Sequence, residues 1–81
     1  MDVGEYLWML YRACGKRRYA DSGEQYKFWT RYVNYAETMA VQAGATEEEL
    51  ALAREGDGFR LQARLEARQR VSGRTPWSWA G

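Results

Sequence analysis

The chain is short of the aliphatic residues from which small domains build a core. It has six Leu, four Val and no Ile, but 4 Trp, 6 Tyr and 2 Phe. At 81 residues it forms one domain, and a chain of that size removes only roughly 60% of its unfolded surface from water. Rings must therefore fill much of the interior. Any surplus is available to a partner, because Trp and Tyr cover large area at low entropic cost.

Helical organisation is legible in three cap signatures. Asp2 precedes Glu5, Ser22 precedes Gln25 and Thr46 precedes Glu49, each by three residues. Each pair sets a short oxygen-bearing side chain at an N-cap with Glu or Gln at N3. The first helix starts at Val3, with Val3, Leu7, Leu10 and Cys14 on one face at 100° per residue. Gly15, or the Tyr19–Gly23 segment, ends it. The second runs from Gly23 to Ala43, with Gly44 after it. Its apolar face takes in Phe28, Trp29, Tyr32, Ala36, Met39, Ala40 and Ala43, with Val33 and Tyr35 at the edges.

From Thr46 to Val71 the chain stays helix-friendly except at Gly56-Asp57-Gly58. Two glycines cost a helix interior roughly 1 kcal/mol each, and Asp57 suits a new N-cap. We favour a break at 56–58 over one continuous helix. No strand signal is present. The expected fold is all-α, a small three- to four-helix domain. A helical hairpin spans 3–43 and a helical region spans 46–72. Residues 1–72 form the helical domain, and 73–81 an extended tail carrying Trp77 and Trp79.

The chain has no His and a single Cys, Cys14. That removes the commonest general base, the usual zinc sets and any internal disulfide. Gly56-Asp57-Gly58 lacks the strand and the Lys-Ser/Thr of a phosphate loop. These absences argue against an enzyme, a metal or a cofactor. No secretory h-region and no segment near the ~20 apolar residues of a membrane span is present, so we read a soluble, cytoplasmic protein with no membrane partner.

The net charge of +1 hides segregation. Arg12, Lys16, Arg17 and Arg18 make the first 20 residues basic. Eight acids dominate 21–58, and five Arg dominate 59–81. Arg60, Arg64 and Arg68 recur every four residues, which stacks them on one side of the last helix. Either acids from 21–58 neutralise them or they face an external anion. Glu66 is also placed to pair with Arg70. Among the rings, Tyr11, Phe28, Trp29, Tyr32 and Phe59 fit core roles. Trp8, Tyr19, Tyr26, Trp77 and Trp79 do not.

The leading expectation is a non-enzymatic helical interaction or regulatory protein. It would present Trp8, Tyr26, Trp77, Trp79, Arg60, Arg64 and Arg68 to a protein partner or to a second copy of itself. The alternative is a small nucleic-acid-binding regulator using the Arg60/Arg64/Arg68 stripe. Arg12, Lys16, Arg17, Arg18, Arg70 and Arg74 would then supply further phosphate contacts.

Overall fold

The computed structural model describes the backbone of residues 2–72 and the side chains of residues 2–70. Four helices follow one another: α1 (Val3–Arg18), α2 (Gly23–Gln42), α3 (Glu47–Glu55) and α4 (Gly58–Ser72). The described residues contain no strand, and the all-α expectation holds. Trp77, Trp79 and Arg74 lie outside the described residues.

Each helix start uses the N-cap residue its sequence offers. Asp2 and Thr46 form complete capping boxes with Glu5 and Glu49. Ser22 accepts from the Gln25 N–H at 3.2 Å. The Gln25 side chain does not close that box; its Oε1 accepts from the Asp21 N–H at 3.1 Å. Asp57 caps α4 by accepting from the Arg60 N–H at 3.1 Å. Gly15 does not stop α1, which continues three residues further.

Two glycines in the left-handed region make the turns. Gly44 (φ 103°) follows α2, and the Ala45 N–H closes back on the Ala40 carbonyl at 2.9 Å. Gly56 (φ 79°) ends α3, and the Asp57 N–H reaches the Leu52 carbonyl at 3.0 Å. This six-to-one closure satisfies carbonyls that a helix end otherwise leaves bare. It also separates α3 from α4, confirming the break.

α1 is the central element, packed along α2 and against α3, while α4 packs on α3. The core is Leu7, Leu10, Ala13 and Cys14 of α1; Val33, Ala36 and Ala40 of α2; Leu50 and Ala53 of α3; and Leu61 of α4. Trp8, Tyr11 and Trp29 pack around it. The start of α4 crosses Tyr11, where a Cβ on Gly58 would lie 3.1 Å from the Tyr11 hydroxyl. Glycine at 58 is what lets the two helices come this close.

The core departs from the sequence expectation in one respect. α2 turns inward along Trp29, Val33, Ala36 and Ala40, one residue round from the centre of its apolar face. Phe28 (57% exposed), Tyr32 and Tyr35 (52%) face solvent, and so does Phe59 (87%). Conversely, Trp8 packs against the core and sets its ring edge-on to Tyr11 at 5.2 Å. The fully buried α2 positions are the small Val33, Ala36 and Ala40, which favour close approach of a neighbouring helix beyond Trp29 and leave Phe28, Tyr32 and Tyr35 outside.

Candidate functional site

A broad concavity among the described residues lies where α1 ends and α2 begins. It is a groove of about 730 Å³ lined by Tyr11, Arg12, Gly15, Lys16, Arg18, Tyr19, Gln25, Phe28, Trp29 and Gly56. Tyr11 and Trp29 project from neighbouring helices, and Phe28 sets its ring edge-on to Trp29 at 4.9 Å. Tyr32 extends this cluster, 5.6 Å from Trp29. A second crevice of about 220 Å³ lies beside Met9, Arg12, Ala13, Lys16, Trp29 and Tyr32. Trp29, Arg12 and Lys16 thus border two adjoining concavities.

Gly15 shapes the groove. A glycine inside a helix costs about 1 kcal/mol against alanine, yet a Cβ here would meet nothing within 4 Å. No neighbour requires the glycine for space. Its missing side chain leaves the groove open at that point.

The groove is electropositive. Arg12 and Lys16 are exposed and make no ion pair or hydrogen bond to a described residue. Arg18 turns towards α3, donating to the Arg54 carbonyl at 3.2 Å. Arg17 instead lies over the Tyr26 ring at 5.9 Å, a cation–π arrangement that occupies two sequence-predicted residues together. No acid lines the groove among the described residues.

The arginine stripe has another fate. Arg60 pairs with Asp57 at 3.6 Å, Arg64 pairs with Glu48, and Arg68 grips Glu49. The acids of the middle segment therefore neutralise the stripe, one of the two outcomes its spacing allowed. Glu49 is only 4% exposed. Burial alone would raise its carboxyl, but hydrogen bonds from Arg68 and Thr46 outweigh that and hold it below the usual range. The expected Glu66–Arg70 pair does not form; Glu66 accepts from Gln62 at 3.0 Å instead.

Cys14 is buried, and burial pushes its thiol upward, against the lowering influence of Arg17 and Arg18. That is the opposite of what activates a nucleophilic thiol. The described residues contain no group of three His, Cys, Asp or Glu placed to hold a metal ion. No described helix is long and apolar enough to cross a membrane.

The sequence-predicted residues thus separate. Arg12, Lys16 and Arg18 gather at the groove. Arg17 and Tyr26 pair beside it, Trp8 packs on the core, and Arg60, Arg64 and Arg68 bind acids. Tyr11, Gly15, Phe28 and Trp29 were not anticipated as site residues. The sequence signal for Phe28 is the alanine-rich stripe beside it, which claims the inward face. No family model, curated protein or solved structure matches this chain.

Proposed function

We propose that this chain is a non-enzymatic protein-docking module and that its docking face is the groove between α1 and α2. One observation carries the reading: an aromatic floor of Tyr11, Phe28 and Trp29 is rimmed by Arg12, Lys16 and Arg18, with no acid among its described lining. Aromatic and Arg anchors in a concave site commonly dominate interface energetics. The floor suits a bulky apolar side chain, and the rim suits carboxylates on either side of it. The occupant is an acidic segment of a partner protein carrying one such anchor.

The nucleic-acid alternative loses the stripe on which it rested, because Asp57, Glu48 and Glu49 take up that charge. The cations left at the end of α1 are too few to form the extended track that backbone binding uses.

The test is selection from a displayed random peptide library on the immobilised protein. Enrichment of sequences pairing Asp or Glu with Phe, Leu or Trp is expected, and its loss on the Arg12→Glu/Lys16→Glu variant. Gly15→Leu keeps the charges but fills the groove, and it should abolish the same enrichment. Peptides enriched equally on all three proteins would sink the reading. Retardation of an oligonucleotide that weakens steeply between 50 and 200 mM salt would favour the alternative.

A further inference from the structure

We infer that two copies of this chain pair antiparallel along α2, through a seam of Phe28, Tyr32, Tyr35 and Met39. α2 carries two apolar seams. The inner one, Trp29, Val33, Ala36 and Ala40, is spent on the core. The outer one has the same steps of four, three and four residues and lies about 100° round the helix. Such spacing is the a/d pattern by which one helix seats another. Phe28, Tyr32 and Tyr35 are exposed, and Met39 is half-buried. A run of this kind along one helix is a patch, unlike scattered single apolar residues.

The seam itself names the occupant, because it reads alike from both ends. Gln25, Phe28, Tyr32, Tyr35, Met39 and Gln42 run polar, apolar, aromatic, aromatic, apolar, polar, stepping three, four, three, four, three. A two-fold axis between Val33 and Asn34 sets Tyr32 against the second copy's Tyr35. The same axis sets Phe28 against Met39 and Gln25 against Gln42. Self-complementarity of this kind is what a two-fold interface demands.

Charge selects the direction. In a parallel pair Glu24, Lys27 and Arg31 would each stand level with its own copy. Antiparallel pairing brings Lys27 level with Ala40 and Arg31 level with Ala36, and it opposes the two helix dipoles. Phe28 belongs to both the seam and the docking groove, whereas Tyr32 and Tyr35 do not line that groove, so substitutions at Tyr32 and Tyr35 test the pairing with the groove's own lining intact.

Sedimentation equilibrium with charge-swap variants tests this. The wild type is expected to be a dimer. Tyr32→Glu/Tyr35→Glu puts like charges opposite each other and should weaken association roughly 100-fold or more, with the helical circular dichroism unchanged. Tyr32→Glu/Tyr35→Arg should restore the dimer, because each Glu then meets an Arg; in a parallel pair like would still meet like. A monomeric wild type at millimolar concentration would overturn the proposal, as would a dimer indifferent to Tyr32→Glu/Tyr35→Glu. A monomeric Tyr32→Glu/Tyr35→Arg would overturn the antiparallel register. If the doubly acidic variant unfolds, the wild-type melting temperature decides: a rise with protein concentration supports pairing, and independence of concentration overturns it.

Discussion

Arg68 of α4 donates through Nε and Nη2 to the two carboxylate oxygens of Glu49, at 3.0 and 2.6 Å. The same Glu49 accepts from the Thr46 N–H at 2.9 Å and so completes the cap of α3. A third Arg68 bond reaches the Gly44 carbonyl at 3.1 Å. One guanidinium therefore ties α4 to the start of α3 and to the turn that follows α2.

The arginine ladder should be steeply graded. Arg68→Ala leaves a buried carboxylate with most of its partners gone and is expected to cost about 3 kcal/mol. Arg60→Ala and Arg64→Ala break exposed pairs and should cost less than about 1 kcal/mol each. Urea denaturation of the three variants checks the order. Equal costs would mean that Glu49 is solvated in solution.

Stability should fall at both ends of the pH scale, for different reasons. Glu37 is held low by its hydrogen bonds from Arg54, and Glu49 is held low, against its burial, by Arg68 and Thr46. A carboxyl depressed by folding stabilises above its unfolded value, about 4.3, and that stability is lost as pH drops through the folded value. Cys14 is shifted the other way, upward. Its contribution is complete below the unfolded thiol value of about 8.5 and is lost as pH rises through the folded one. Denaturation midpoints from pH 2.5 to 10.5 should show both losses, and Cys14→Ala should abolish the alkaline one.

Two glycine-to-alanine changes should have opposite signs. At Gly15 the new methyl meets nothing within 4 Å, so the helix should gain up to about 1 kcal/mol. At Gly58 it would press on the Tyr11 ring, which Trp8 backs at 5.2 Å. That change should cost about 1 kcal/mol. Thermal melts of both variants give the comparison.

Ala36 sets how closely α1 and α2 approach. Ala36→Leu should force them apart at a cost of about 1–3 kcal/mol. Val41→Leu, at an exposed position on the same helix, should change stability by less than about 0.5 kcal/mol.

The helices were readable because caps are local. Asp2, Ser22, Thr46 and Asp57 each act within three residues, and Gly44 and Gly56 mark the stops. Which rings go inside was not local. The apolar arc of α2 is wide enough to be centred near Tyr32, and an amphipathic count takes no account of side-chain size against helix spacing. Ala36 and Ala40 decide the matter by allowing close approach, which sends Phe28, Tyr32 and Tyr35 outward. The groove was illegible for a similar reason: Tyr11 and Trp29 meet only once α1 and α2 are packed. The fate of the arginine stripe depended on where Glu48 and Glu49 came to lie after a turn that sequence spacing does not orient.

Among the described residues Leu61 is the fully buried apolar side chain of α4, with Leu65 half-buried against the core, and the other fully buried ones belong to α1, α2 and α3. Part of what fastens α4 is therefore ionic, chiefly the bridge from Arg68 to Glu49 of α3. Acid weakens the Arg68–Glu49 bridge, salt weakens the exposed Arg64–Glu48 pair, and neither agent acts comparably on apolar packing. The molecule consequently has two levels of cohesion, and amide hydrogens of α4 should exchange through a partial opening while those of α1 wait for global unfolding. Because Gly58 rests on Tyr11, each such opening uncovers one wall of the groove, and the ionic conditions around the protein then bear on how its docking face is presented.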